Sequence, residues 1–246
     1  METLHNGFTL DFPQTVFPLS TDSILLADFV RLSPQANVLD LGSGCGTLGV
    51  LLCAADPRCK VTGIELDETA HIAALNNIQR NALSSRIHSI CGDIRTVNRL
   101  TEPGVFHCCV SNPPYFSGGP ASSATPLARR EDCCSPAELF AAAAWALKYG
   151  GDFFLVHKPE RLGQLCGCAA AVGLEPKRLR LIRHRENGPV SLILLAFRKG
   201  GKPGLIWEEQ TLFDTQNNPT SYYKKLYHIQ EEHHGRNAIP GPHPHR

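Results

Sequence analysis

Residues 38–49 read V-L-D-L-G-S-G-C-G-T-L-G. The apolar start is strand-like, the glycines interrupt it, and T-L-G-V-L-L-C-A-A (47–55) continues as a buried helix stopped by Asp56-Pro57. Two glycine patterns overlap here. Gly44, Gly46 and Gly49 fit G-x-G-x-x-G, whereas Gly42, Gly44 and Gly46 fit D-x-G-x-G-x-G with Asp40 at the strand end. A pyrophosphate favours a helix N-terminus without a nearby carboxylate. A positively charged ligand welcomes Asp40, and the glycines let the backbone approach it closely with positive φ.

Outward from this turn, strand and helix signals alternate. K-V-T-G-I-E-L (60–66), I-H-S-I-C-G-D (87–93), F-H-C-C-V (106–110) and D-F-F-L-V-H (152–157) read as strands. Residues 68–81 have helical periodicity, with Ile72, Leu75 and Ile78 on one face; further helices are expected at 22–31, 137–149 (ended by Gly150-Gly151) and 160–172. R-L-R-L-I-R-H (178–184) and S-L-I-L-L-A-F (191–197) lie too close for a parallel crossover and imply an antiparallel hairpin. The expectation is an α/β fold: a seven-stranded, mostly parallel sheet with helices on both faces and an antiparallel closing hairpin. Residues 1–36 are a lead-in packing on the ligand site, 37–230 the main domain, and 231–246 a disordered tail.

Ligands on such sheets sit at the carboxyl ends of strands, near the switch in strand order. Asp40 ends the first strand; D-x-G-x-G-x-G is the pattern of S-adenosylmethionine-binding sheets, and the ammonium and sulfonium of that cofactor suit the carboxylate. Glu65, followed by Leu66, ends the second strand and can accept both ribose hydroxyls, although it would serve NAD equally. Asp93 with Ile94 ends the third and can take the adenine amine and line the ring face.

The fourth strand runs into S-N-P-P-Y-F (111–116). Each proline biases the residue before it toward extended backbone and has no N–H for a ladder. Asn112, Pro113, Pro114 and Tyr115 thus form a stiff ledge, where the Asn112 side-chain oxygen and the Pro113 carbonyl can converge on one –NH₂ group. Methylating an exocyclic amine poses that problem, because the lone pair is conjugated into the ring. Tyr115 offers a stacking face, worth ~1–3 kcal/mol per base. Residues 116–134 form a loop too long for a plain connection, a candidate lid.

These motifs resemble class I S-adenosylmethionine-dependent methyltransferases of Rossmann-like fold that carry N-P-P-Y. More narrowly, F-P-L-S-T-D-S-I-L-L-A-D-F (17–29), A-R-R-E (128–131), K-P-E-R-L (158–162) and the basic hairpin resemble the bacterial tRNA(Val) adenine-N6 methyltransferase family. The resemblance spans about residues 8 to 230. It implies N6-methylation of an adenine beside the anticodon, with Thr21 and Asp22 near the cofactor's methionine end and Arg129 and Arg130 on the RNA. Thr21-Asp22 equally suits a helix cap. The alternative acceptors are an rRNA base amine or a release-factor glutamine amide, which set the same lone-pair problem; a DNA adenine is a further one.

Net charge is +1, so nucleic-acid binding needs a local basic patch. Eight of the 24 Lys and Arg, including Lys177, Arg178, Arg180 and Arg183, fall within residues 177–202, opposed there by Glu186 alone. Phosphate contact and charge protection of a sheet edge both explain this. The ten cysteines include no C-x-x-C, so no metal site is expected and the thiols read as buried small hydrophobes. No run is apolar enough for a membrane span and no signal peptide is evident; a cytoplasmic monomer is expected.

Overall fold

The computed structural model describes residues 1–4, 6–13, 18–113 and 134–229. Its two-residue strands β1 (Glu2–Thr3) and β2 (Thr9–Leu10) pair antiparallel ahead of helix α1 (Thr21–Phe29). Then follow β3 (Asn37–Leu41), α2 (Thr47–Ala55), β4 (Lys60–Glu65), α3 (Glu68–Arg80), β5 (Ile87–Cys91), α4 (Val97–Leu100) and β6 (Phe106–Ser111). After the undescribed stretch come α5 (Pro136–Ala146), β7 (Leu147–His157), α6 (Leu162–Ala171), β8 (Leu174–Arg185), β9 (Val190–Lys199), β10 (Ile206–Phe213) and α7 (Ser221–Leu226).

The large sheet has the order β10-β8-β9-β7-β6-β3-β4-β5, and β9 alone in it runs antiparallel to its neighbours. Both faces are buried, and the strands alternate between two cores. Cys108, Val110, Phe154, Val156, Leu192 and Leu194 pack on one side with α1, α2 and α3. Cys109, Phe153, Leu155, Ile193 and Leu195 pack on the other with α5 and α6. The chain winds from β3 outward to β5, then crosses back to β6 on the other side of β3. The switch in strand order therefore falls between β3 and β6, where Ser111 Oγ donates to the Leu41 carbonyl at 2.7 Å and joins the two strand ends.

Three expectations are corrected. The sheet has eight strands, not seven. The added β10 carries Glu208 and Glu209, which face the arginines of β8 across the ladder. Helix α5 stops at Ala146 rather than 149, because Leu147 already pairs with Phe106. The next pairing is Cys108 with Asp152, so Gly150 (φ +79°) and Gly151 belong to an irregularity inside β7. A Cβ on Gly151 would lie 3.0 Å from the His107 carbonyl. Lastly, Ile72 and Leu75 are exposed; the buried stripe of α3 is Ala70, Ala73, Ala74, Asn77 and Ile78. Small residues win there because α3 lies close to the glycine turn, with Ala74 Cβ 3.4 Å from where a Cβ on Gly46 would be.

The lead-in is fastened to α3 by two asparagines one helical turn apart. Asn81 accepts from the Thr9 N–H (2.8 Å) and donates to the Thr9 carbonyl (2.7 Å). Asn77, fully buried, does the same to Asp11 (2.8 and 3.0 Å) and donates also to the Cys45 carbonyl at 3.0 Å. Among the described residues no helix is long and apolar enough to cross a membrane.

Candidate active site

The carboxyl ends of β3, β4 and β6 meet at the switch point. Gly42, Gly44 and Gly46 all have positive φ (78°, 54° and 79°), which the turn from β3 into α2 requires. The turn is pinned twice to β4. The N–H groups of Gly42 and Ser43 both donate to the Ile64 carbonyl at 3.0 Å, and Gly44 N–H donates to Glu65 Oε2 at 2.7 Å. Glu65 Oε1 accepts from Asp67 N–H at 2.8 Å. Burial raises the Glu65 carboxyl above its ordinary range, and the backbone N–H bonds pull the other way.

Asp40 is 1% exposed, and neither carboxylate oxygen has a hydrogen-bond partner among the described residues. Burial, with Glu65 nearby, pushes its carboxyl up to about 8. A buried carboxylate without a partner is costly, and a cationic ligand is the natural relief. Gly63, in register beside Asp40, leaves room for the Ser43 side chain: a Cβ there would come within 2.7 Å of Ser43 Oγ.

The remaining expected residues take varied places. Asp93 caps a short 3₁₀ turn (Ile94–Thr96), and its carboxylate receives Arg95 N–H (2.9 Å), Nε (2.8 Å) and Nη2 (2.6 Å). The Arg95 bonds hold it below the usual carboxylate range. Leu66, just past Glu65, is 47% exposed, an apolar face at the strand end. Ser20, not Thr21 or Asp22, caps α1. Thr21 and Asp22 lie in the first turn; the Thr21 hydroxyl meets the Tyr227 hydroxyl at 2.9 Å, and burial raises the Asp22 carboxyl while Lys158 lowers it. Pro113 is buried, and Asn112 Nδ2 donates to Ser23 Oγ at 3.0 Å. Pro114, Tyr115, Arg129 and Arg130 lie outside the described residues.

The basic cluster is engaged within the fold. Arg180, 8% exposed, donates to Glu208 and Asp28 at 2.7 Å each and to the Tyr222 hydroxyl at 3.1 Å. Arg178 pairs with Glu208 at 3.0 Å, donates to the Phe29 carbonyl at 3.2 Å and stacks on the Phe29 ring at 4.2 Å. Arg183 pairs with Glu209, and Lys177 Nζ donates to the Lys202 carbonyl at 2.7 Å. Arg178 and Arg180 clamp the C-terminal end of α1 to β8, which explains their placement without a phosphate.

Comparisons with known proteins bear on the family and the fold. The profile of the methyltransferase small domain family matches residues 19–164. A tRNA1(Val) (adenine(37)-N6)-methyltransferase from Bacteroides fragilis is 30% identical over 195 residues, covering 77% of this chain and 81% of that protein. The chain belongs to this methyltransferase family. A relative of the same name from Photobacterium profundum is 33% identical over 182 residues, 72% of this chain and 75% of its own. The match to another from Shewanella sp. is 36% identical over 147 residues and spans 61% of that protein. A solved structure, described as a predicted O-methyltransferase from Agrobacterium tumefaciens, superposes with a TM-score of 0.71 at 20% identity, over 85% of this chain and 96% of its own. A geranyl diphosphate C-methyltransferase from Streptomyces coelicolor A3(2), solved with S-adenosyl-L-homocysteine, superposes at 0.54 and 12% identity, over 72% and 79%. S-Adenosylmethionine is the cofactor of this methyltransferase, and the lone buried carboxylate of Asp40 fits its cationic end.

Ser23 is the site residue that the sequence reading missed. Nothing local marks it, for its partner Asn112 lies 89 positions away.

Proposed function

We propose that the protein methylates the N6 amine of an adenine in tRNA, at position 37 beside the anticodon of a valine tRNA, as its relatives are named. The observation that supports this best is the Asn112 amide at the end of β6, next to β3 and its glycine turn, with the nitrogen end tied to Ser23. The oxygen end is then the one left to accept from an amine. S-Adenosylmethionine supplies an electrophilic methyl group on a sulfonium.

Asp40 and the glycine turn would hold the cofactor's cationic end, Glu65 its ribose hydroxyls, Asp93 its adenine amine, and Leu66 and Ile94 its adenine faces. Thr21 and Asp22 border the methionine end. The Asn112 oxygen and the Pro113 carbonyl accept the two amino hydrogens of the substrate base, which draws the nitrogen lone pair out of conjugation with the ring. Once methylated, the nitrogen is cationic and acidic and would shed its proton to these acceptors or to water, so no strong base is required. Tyr115 stacks on the flipped base, with Pro114 keeping the ledge stiff. Arg129 and Arg130 meet the RNA backbone.

The test is methyl transfer from labelled S-adenosylmethionine to bulk tRNA from a strain lacking the gene, followed by nucleoside analysis. N6-Methyladenosine is the expected product. Label appearing only in rRNA or in a release factor would keep the amine chemistry and replace the acceptor.

A further inference from the structure

An amide side chain is nearly symmetric in shape but opposite in polarity at its two ends. Turned by 180°, Asn112 would present an –NH₂ to the substrate's –NH₂, two donors face to face. Something in the fold must select the orientation. Asn112 Nδ2 donates to Ser23 Oγ at 3.0 Å, and Ser23 is only 7% exposed. Ser23 Oγ in turn lies 3.3 Å from Ser20 Oγ, the cap of α1, and Ser20 Oγ accepts the Ser23 N–H at 3.3 Å. Either hydroxyl of the Ser20–Ser23 pair can donate; when Ser23 donates to Ser20, the Ser23 lone pairs face Asn112 and admit only its nitrogen end.

We infer that Ser23 is a positioning residue that fixes the polarity of the Asn112 amide, so that its oxygen faces the acceptor amine. The inference rests on the amine-methylating function proposed above. It also accounts for how α1 is held. The helix carries Ser23 on its first turn, three residues after the Ser20 cap, and is clamped at its far end by Arg178 and Arg180.

The test has two arms. In the first, the Asn112 side-chain amide protons are observed by nuclear magnetic resonance and assigned by their loss in Asn112→Ala. One of the two is expected to exchange slowly in the wild type and rapidly in Ser23→Ala. In the second, Ser23→Ala lowers kcat about tenfold, the scale of one lost hydrogen bond to a neutral partner. The cofactor Kd and the KM for tRNA stay unchanged. Should Ser23→Ala fail to fold, Ser23→Cys, of similar size and a weak acceptor, carries the same expectations. An unaltered amide spectrum or wild-type kcat in the folded variant overturns the inference. If the wild type labels no RNA, the proposed function falls, while the first arm still reads the amide orientation because it needs no acceptor.

Discussion

Asp40 is the residue whose ionisation the fold most resists. Its carboxyl stands at about 8 in the folded protein against an ordinary 3.8. Between those values the native state holds a proton that the unfolded chain has released, so stability falls as pH rises through this window. Asp40→Asn removes the titration. The variant is expected to unfold at the wild-type temperature near pH 4 and to grow steadily more stable than wild type up to about pH 8, by a few kcal/mol. It should lose cofactor binding at every pH. Parallel thermal melts across that range check the first point, and a constant difference between the two proteins would mean that the carboxylate is satisfied by another group. Asn112→Ala has the opposite signature: cofactor affinity nearly intact and turnover down by about 10²-fold or more, the loss expected for a preorganised polar contact. Isothermal titration and single-turnover transfer separate the two, and unchanged turnover would remove Asn112 from the chemistry.

At the scale of elements, the site depends on how closely β3, β4 and α3 approach the glycine turn. Gly63 shows the margin. Gly63→Ala would drive a methyl group against Ser43, whose own backbone is pinned to Ile64. The expected cost is about 1–3 kcal/mol of stability, together with weaker cofactor binding because the turn must shift. A denaturant titration and a binding isotherm measure both; an isotherm matching wild type would show the turn to be compliant. Much of this region was readable from residue order, since D-x-G-x-G-x-G and the alternating apolar runs express the local periodicity that forms them. Gly63 was not, because its role depends on a contact across the sheet. Strand β10 escaped for the same reason: Glu208 answers Arg180 from 28 positions away, and in isolation I-W-E-E-Q has no strand-like alternation. The α3 face was misassigned because large apolar residues were weighted over the alanines that close packing prefers.

Across the whole molecule, the C-terminal edge of the sheet supports the N-terminal helix. Glu208 pairs with both Arg178 and Arg180, Asp28 supplies the second carboxylate, and both guanidiniums lie against Phe29. Glu208→Ala would leave the largely buried Arg178 without its carboxylate and Arg180 with Asp28 alone, a loss of about 3–5 kcal/mol. Chemical denaturation tests it. A loss below about 1 kcal/mol would place the pair with ordinary surface ion pairs. The Thr21–Tyr227 hydroxyl contact closes the same circuit across 206 positions of sequence. That span imposes an order of events during translation. Chains leave the ribosome N-terminus first, so α1 emerges early and waits for β8, β10 and α7 to be synthesised before their contacts can hold it against the site. A nascent chain has its glycine turn long before it has a steadied Asn112, so methyl transfer is expected to begin only after Tyr227 has been synthesised.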